Sequence, residues 1–251
     1  MHDAETCGQH SLALIEQMLD HDVPAEHVAA ILIEPVLGEG GYVAAPATFL
    51  QGLRDLATRI GALLVFDEVQ TGFGRTGAWF AAQRFGVTPD VMTLAKALGG
   101  GLPLGAVVAP RAIHERWKTS THGSTFGGNP VSCAAANATI TLLKESLVAN
   151  AASVGAHLLD GLREVQKKHQ LIGDVRGKGL MVGVELVRDR QTKERAVEER
   201  NALVQAMFRR GVLILGAGKN AIRLAPPLVF TKSQADILLR VMDEALTEIN
   251  H

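Results

Sequence analysis

The sequence predicts an α/β fold: a mostly parallel sheet with flanking helices, followed by a smaller α+β unit. Between residues 28 and 96, three apolar strand-like segments alternate with helical segments, and this βαβαβ order is typical of a parallel sheet. Beyond Pro130 the pattern changes to two long helical stretches and then to short strands with alternating apolar residues. We therefore expect one domain over residues 1–150 and a second over residues 151–251.

Composition and charge restrict the class of protein. Of the 251 residues, 47% are hydrophobic, which is enough for a sizeable core, and no apolar run approaches the length of a membrane span. Lys and Arg number 25 against 26 Asp and Glu, so no basic excess points to nucleic acid. Two cysteines, Cys7 and Cys133, and nine scattered histidines form no disulfide framework and no metal-ligand spacing. The sequence predicts a cytoplasmic protein without a metal site, a membrane partner or a nucleic-acid partner.

The apolar pattern predicts the first strand, and boundary residues predict where the first helix starts and ends. VAAILIE (residues 28–34) is a continuous apolar run, as expected of a strand buried on both faces of a parallel sheet. Pro46 then opens a helix with one apolar face, and Gly61 ends it. A strand and a helix in this order begin a βαβ unit.

The next two strands end in residues with reactive side chains. ALLVFDE (residues 62–68) contains Asp67 at its end, and after a turn-rich loop and a helical segment, VMTLAK (residues 91–96) ends in Lys96. Ligands of open parallel sheets bind at the carboxyl ends of the strands. Glu34, Asp67 and Lys96 each stand at or near such an end, so all three are candidates for a binding site.

Two helices are predicted to lead from the first domain into the second, over residues 131–144 and 150–169. Smaller elements follow. The segment GLMVGVELV (residues 179–187) predicts a strand with apolar side chains on one face, because its large apolar residues alternate. These are Leu180, Val182, Val184 and Leu186.

The remaining chain predicts a helix, two short strands and a final helix. The first helix covers about residues 196–210, and the strands are VLIL (residues 212–215) and AIRLA (residues 221–225). The final helix starts at Thr231, because Thr231 and Gln234 have the spacing of a capping box.

Asp67 and Lys96 together suggest a site for pyridoxal phosphate. That cofactor needs a lysine amine to carry it as a Schiff base and an anion to keep its pyridine nitrogen protonated. Lys96 stands between Ala95 and Ala97, ahead of a glycine run, so we expect a poorly solvated side chain. Burial of this kind would make the amine nucleophilic.

Other interpretations of Asp67 are open at this point. An apolar strand ending in an acid also presents the magnesium-binding acid of P-loop ATPases, although the chain contains no GxxxxGK[ST] loop. Acids at strand ends are also common in open α/β sheets and have structural roles there.

Six segments follow one another along the chain: IEPVLGEGGY, FDEVQTGFGRTG, LAKALGGGLPLGAV, HGSTFGGNP, GDVRGKGLMVGVEL and IRLAPPL. Their order and spacing resemble those of one known family, the class III pyridoxal-phosphate-dependent aminotransferases, which include the 4-aminobutyrate, acetylornithine and ornithine aminotransferases. The resemblance covers nearly the whole chain.

The resemblance implies a fold type I pyridoxal-phosphate-dependent transferase that moves an amino group from an ω-amino donor, such as 4-aminobutyrate, to 2-oxoglutarate. Acetylornithine or ornithine is the alternative donor, and an aminomutase or a decarboxylase on the same scaffold is a further alternative. Full-length members are longer and carry a phosphate-binding loop before the point where this sequence begins. We therefore expect an N-terminally truncated large domain, and a chain without independent activity is a third possibility.

The resemblance also implies roles for residues around the cofactor. Lys96 would form the Schiff base and then move the proton at the substrate carbon, and Asp67 would pair with the pyridine nitrogen. Val69 would pack against the cofactor ring, although it could equally be an ordinary core residue. Gln70 would donate to the phenolic oxygen, and Glu34 is included among the cofactor-binding candidates.

Three more residues bear on the partner subunit and on the substrate. Thr125 matches a position that contacts the cofactor phosphate of a neighbouring subunit, which implies a homodimer, whereas by itself it is simply a good loop former. Glu39 would cover Arg223 in the amine half-reaction and swing away when Arg223 binds the carboxylate of glutamate or 2-oxoglutarate. The alternative for this pair is a surface acid and a strand arginine in an incidental ion pair.

Overall fold

The computed structural model describes residues 3–249, so the outermost residues of both predicted domains lie outside the described part of the chain. The chain divides into two compact units. The first unit contains residues 1–36, 45–73 and 79–145, and the second contains residues 37–44, 74–78 and 146–251. The predicted boundary near residue 150 stays a prediction.

The strands and helices follow one another in the α/β order that the sequence predicts. The strands are β1 (Ala30–Ile33), β2 (Val36–Leu37), β3 (Val43–Ala44), β4 (Leu63–Asp67), β5 (Val91–Leu94), β6 (Ala106–Val108), β7 (Ile172–Lys178), β8 (Met181–Leu186), β9 (Leu215–Ala217) and β10 (Ala221–Leu224). The helices are α1 (Ala4–His21), α2 (Ala47–Ile60), α3 (Ala81–Phe85), α4 (Arg111–His114), α5 (Pro130–Leu142), α6 (Val148–Lys168), α7 (Val197–Arg209) and α8 (Lys232–Ile249).

The sheet of the first unit is mostly parallel, as predicted. Its strand order is β1-β4-β5-β6; β1, β4 and β5 are parallel, and β6 joins as an antiparallel edge strand that the sequence did not reveal. The register pairs Asp67 of β4 with Thr93 of β5. The carboxyl ends of β4 and β5 therefore lie side by side.

Helix α2 covers one face of this sheet. Pro46 occupies its N-cap, and Gly61 occupies its C-cap with φ of 74°, so the predicted start and end of this helix are confirmed. Leu50 and Leu53 on its buried face pack against Leu64 of β4, and each such leucine contributes about 1.5–3 kcal/mol by leaving water.

The expectation that the first strand is buried on both faces is wrong. β1 covers only Ala30–Ile33, and its burial alternates: Ile31 and Ile33 pack on the core of the first unit, whereas Leu32 is 66% exposed. The reason is that Ile31 and Ile33 join the cluster formed by α2 and β4, while Leu32 points to the opposite face of the sheet.

The second unit is an antiparallel sheet with helices packed on it. Its strand order is β7-β8-β10-β9, and the four residues that the sequence predicts on one strand face all lie in its core, with Leu180 directly before β8 and the other three within it. Met181 and Gly183 are buried as well, so β8 is covered on both faces. The capping box of α8 is confirmed, because the Gln234 N–H donates to Thr231 Oγ1 at 3.2 Å and the Thr231 N–H donates to Gln234 Oε1 at 2.9 Å.

Several elements of the structure differ from the sequence predictions. The unpredicted elements are helices α1 and α4 and strands β2, β3, β6 and β7, and the strand predicted over residues 212–215 lies later, at Leu215–Ala217. The apolar pattern placed this strand too early in the chain. The Val212 N–H donates to the Met207 carbonyl at the end of α7, so Val212 still belongs to the helix end. No helix within residues 3–249 is long and apolar enough to cross a membrane.

Candidate cofactor and carboxylate sites

Asp67 is the last residue of β4, and its side chain is oriented by two neighbours. Its Oδ1 atom accepts hydrogen bonds from the Val69 N–H and from the Thr93 hydroxyl, both at 3.0 Å. Its Oδ2 atom accepts none from residues 3–249. The carboxylate is half-buried, so one oriented oxygen remains available to a donor that approaches from the strand ends.

Glu68, the next residue, is fully buried and organises the loop that follows. Its Oε2 atom accepts from the Thr71 hydroxyl at 2.6 Å and from the Ala81 N–H at 2.8 Å, and its Oε1 atom accepts from the Ala82 N–H at 2.7 Å. The carboxylate thus satisfies two free N–H groups in the first turn of α3. Sequence reasoning missed this role, although an acid beside the strand end was visible.

Lys96 follows β5 by two residues and starts a short 3₁₀ turn with φ of 44°, a left-handed conformation that costs a non-glycine residue about 1–2 kcal/mol. Its side chain is exposed, so the expectation of a poorly solvated amine is wrong. The reason is position: the residue stands beyond the last strand hydrogen bonds, at the open carboxyl edge of the sheet. Among residues 3–249, no acceptor pairs with the amine.

The other cofactor candidates are placed as follows. Glu34 directly follows β1, so the structure brings Glu34, Asp67 and Lys96 to the same edge of three adjacent parallel strands. Val69 and Gln70 are half-buried in the loop after β4. Thr125 is exposed, and no hydrogen bond in the described chain joins it to this strand edge.

These residues fit pyridoxal phosphate. A Schiff base needs an accessible amine, which Lys96 offers, and a protonated pyridine nitrogen needs an anionic acceptor, which the open Oδ2 atom of Asp67 offers. In the described part of the chain, no cluster of three or more His, Cys, Asp or Glu side chains could hold a metal ion.

A second site lies in the second unit, where Arg223 of β10 forms an ion pair with Glu39. The Arg223 side chain is only 19% exposed, whereas that of Glu39 is 74% exposed. The Nε atom of Arg223 is buried and has no hydrogen-bond partner in residues 3–249. The guanidinium therefore has capacity for a second acceptor, and the acid that covers it is largely exposed to solvent.

Tyr42 and Arg75 complete the surroundings of Arg223, and sequence reasoning missed both. Tyr42 is buried with φ of 56°; burial raises the pKa of its hydroxyl, against the opposing charges of Arg223 and Arg75. Burial lowers the pKa of the Arg75 guanidinium, which donates to the carbonyls of Leu180 and Pro226. The charges of two arginines and one glutamate act on Tyr42, so the net charge around it is positive and favours an additional anion.

An apolar cavity of about 630 Å³ adjoins Tyr42 and Arg223. Leu213, Leu215 and Ile237 line it and are exposed to solvent. A carboxylate held by Arg223 would therefore have apolar surface beside it.

Sequence comparisons identify relatives along most of the chain. The profile described as Aminotransferase class-III matches residues 2–246. An acetylornithine aminotransferase from Methanothermobacter thermautotrophicus is 43% identical over 91% of this chain, and the 5-aminovalerate aminotransferase DavT of Pseudomonas aeruginosa is 39% identical over 95%. A leucine/methionine racemase from Thermococcus litoralis is 38% identical over 98%. The chain spans 56%, 57% and 56% of these three relatives, respectively.

Solved transaminase structures are also similar to this chain. A transaminase from the marine bacterium Virgibacillus matches 96% of this chain with a TM-score of 0.92 and 35% identity, and the chain covers 57% of it. An amine transaminase from an uncultivated Pseudomonas species, in the form with pyridoxal phosphate bound, matches 98% of this chain with a TM-score of 0.91 and 34% identity, and the chain covers 58% of it.

Proposed function

Because the chain belongs to the class III aminotransferase family, we propose that it carries pyridoxal phosphate on Lys96 and moves an amino group from an ω-amino donor to 2-oxoglutarate. The observation that carries this proposal is the arrangement at the strand ends. Asp67 is oriented through Oδ1, and Lys96 follows the adjacent parallel strand; within residues 3–249, neither Oδ2 of Asp67 nor the Lys96 amine has a hydrogen-bond partner.

The chain's own residues have distinct tasks in this proposal. When bound, the cofactor supplies an electron sink for the substrate carbon that loses its proton. Asp67 holds a proton on the pyridine nitrogen through Oδ2, because an anionic acceptor favours the protonated ring. Lys96 moves a proton at the substrate carbon, a task suited to a flexible amine without a competing partner.

Further cofactor contacts belong to the proposal. Val69 packs against the ring, Gln70 donates to the phenolic oxygen, and Glu34 lies at the edge of the site. Thr125 contacts the phosphate bound to a second subunit, which requires a homodimer, and its exposure supports this role. The homodimer is proposed to work in the cytoplasm.

Arg223 is proposed to bind the carboxylate of 2-oxoglutarate or glutamate. Its buried Nε atom has no hydrogen-bond partner among residues 3–249, and a guanidinium edge matches a carboxylate with two parallel hydrogen bonds. Glu39 covers Arg223 in the half-reaction of the ω-amino donor and leaves when the carboxylate arrives. The exposure of Glu39 supports this movement.

We propose a donor of the 4-aminobutyrate kind, with acetylornithine or ornithine as alternatives. The relatives named for acetylornithine and for 5-aminovalerate support an amino group at the far end of a carbon chain.

A second candidate is racemisation of an apolar amino acid. A relative named leucine/methionine racemase and the apolar cavity beside Arg223 favour it. A racemase would interconvert the two enantiomers of leucine without any oxo acid, whereas a transaminase needs an acceptor.

An absorbance titration with pyridoxal phosphate tests the proposal, with Lys96→Ala as the control. A visible band that requires Lys96 and bleaches with 4-aminobutyrate, acetylornithine or 5-aminovalerate supports the transaminase and identifies the donor. Racemisation of leucine without an acceptor would favour the second candidate. Failure of the band to form would mean that the 251-residue chain alone does not assemble the site.

A further inference from the structure

A polar cavity of about 500 Å³ lies in the second unit beside the Glu39–Arg223 ion pair. Glu39 lines one part of it, and Arg200 of α7 lines another, with Asn201 and Gln205 nearby. The two oppositely charged side chains thus share one cavity, although Glu39 pairs with Arg223.

Arg200 has unused hydrogen-bonding capacity. Its Nη1 atom donates to the Ala221 carbonyl at a long 3.3 Å, and its Nε atom is buried without a hydrogen-bond partner in the described part of the chain. No carboxylate within residues 3–249 pairs with it. A half-buried guanidinium without an acid is unfavourable, because its charge is partly removed from water and is not compensated.

The surrounding main chain keeps Arg200 at the cavity. Its guanidinium lies over Gly216 of the edge strand β9, where a Cβ atom would stand only 2.3 Å from Nη1. Gly216 pairs with Ile222, whereas Leu215 pairs with Arg223, so Arg200 and Arg223 lie on opposite faces of the ribbon formed by β9 and β10.

Glu39 stands where this ribbon turns. Its carbonyl accepts a hydrogen bond from the Gly218 N–H at 2.9 Å, which fixes its main chain beside the turn after β9. Its side chain is 74% exposed, and its carboxylate pairs with Arg223. The side chain therefore stands between Arg223, with which it pairs, and the cavity that it lines together with Arg200.

We propose that Arg200 is a positioning residue that receives the Glu39 carboxylate when Glu39 leaves Arg223. This inference rests on the proposed binding of a substrate carboxylate at Arg223. In that state each arginine has one carboxylate: the substrate on Arg223 and Glu39 on Arg200. Because Glu39 gains a new ionic partner when it leaves Arg223, its carboxylate stays paired. Arg200 therefore stabilises the form of the site in which Arg223 binds the carboxylate of a dicarboxylate substrate.

A ligand-free experiment tests the exchange directly. In the full chain labelled with ¹⁵N-arginine, Arg223→Met removes the present partner of Glu39, and the Nε–H signal of Arg200 is followed by NMR. Arg200→Lys identifies the signal. We expect this signal to shift and its exchange with water to slow in Arg223→Met, and to revert when Glu39→Gln is added. An Arg200 signal that is the same in Arg223→Met with and without Glu39→Gln would overturn the inference.

Binding of glutarate to the full chain gives a second test. Arg200→Gln should weaken glutarate binding roughly two- to fivefold, the size expected of a partly exposed ion pair, and should have no effect when combined with Glu39→Gln. Arg209→Gln, on the same helix but paired with Glu248, is the matched control. Equal weakening with and without Glu39→Gln, or no effect at all, would overturn the role of Arg200. If glutarate binding does not depend on Arg223, the proposed carboxylate site fails, and the NMR result still decides the inference about Arg200.

Discussion

The Thr93 hydroxyl donates a hydrogen bond to Oδ1 of Asp67 at 3.0 Å, across the paired strands β4 and β5. Together with the Val69 N–H, it fixes one oxygen of the carboxylate, and the other oxygen accepts no hydrogen bond from residues 3–249. The residue that would bind the cofactor is therefore oriented by the neighbouring strand.

Thr93→Val should weaken cofactor binding without unfolding the first unit. The substitution keeps the branched shape and removes one hydrogen bond to a charged group, which is worth about 1.5–3 kcal/mol, or roughly 10- to 100-fold in affinity. Fluorescence titration with pyridoxal phosphate measures the change. Thr141→Val, at an exposed position in α5, is the control, and equal affinities for the two variants would contradict the orienting role of Thr93.

Asp67→Asn should remove most of the activity while the chain still binds pyridoxal phosphate covalently. A neutral amide cannot favour the protonated pyridine ring, so we expect the rate of the amine half-reaction to fall at least about tenfold. Stopped-flow absorbance with the amino donor measures this rate. A variant with the wild-type rate would show that the pyridine nitrogen finds its acceptor elsewhere.

Sequence reasoning predicted the elements whose signals are local. Pro46 and Gly61 bound α2, and Thr231 with Gln234 caps α8, because helix ends depend on residues within one turn. The parallel arrangement of β1, β4 and β5 followed from the alternation of the predicted strands with helices. The family resemblance is confirmed by the match over residues 2–246.

Long-range relationships could not be predicted in this way. The burial of Glu68 depends on N–H groups at Ala81 and Ala82, which lie 13 and 14 residues away. Lys96 is exposed because it stands beyond the strand end, and flanking alanines carry no information about that. Arg200 shares a cavity with Glu39 only through the fold of the second unit.

Glu68→Gln should destabilise the first unit by about 1–3 kcal/mol, because the amide replaces one acceptor oxygen with a donor group and leaves a buried N–H or hydroxyl unsatisfied. Urea unfolding followed by circular dichroism measures the difference in unfolding free energy. Glu16→Gln, at an exposed ion pair with Arg59, should change stability by no more than about 0.5 kcal/mol. Equal midpoints for the two variants would contradict the structural role of Glu68.

The stabilising effect of Asp243 should depend on pH. Two hydrogen bonds lower the pKa of the Asp243 carboxyl below its ordinary value: the one from Lys168 has the larger effect, and the one from His169 comes second. A carboxyl with a lowered pKa in the folded state stabilises the fold above the unfolded-state pKa of about 3.9, and this contribution is lost as the pH falls through the folded-state pKa.

Asp243→Asn therefore tests this dependence. The difference in urea midpoint between wild type and Asp243→Asn should be full above about pH 5 and should shrink as the pH falls below about 4. Asp160→Asn, at an exposed pair with Arg163, is the control. If the difference in urea midpoint between wild type and Asp243→Asn stayed constant as the pH fell well below about 4, the ionised form of Asp243 would not be the stabilising one.

Glu39→Ala should separate the two half-reactions of the proposed transamination. Without Glu39, Arg223 remains uncompensated when the ω-amino donor is bound, and an unpaired, partly buried guanidinium should slow that half-reaction about tenfold. The glutamate half-reaction should keep its rate, because Arg223 then pairs with the substrate carboxylate. Single-turnover absorbance with each substrate measures both rates, and Glu164→Ala at an exposed ion pair is the control. Equal losses in both half-reactions would contradict a moving glutamate, since a purely structural ion pair would affect both substrates alike.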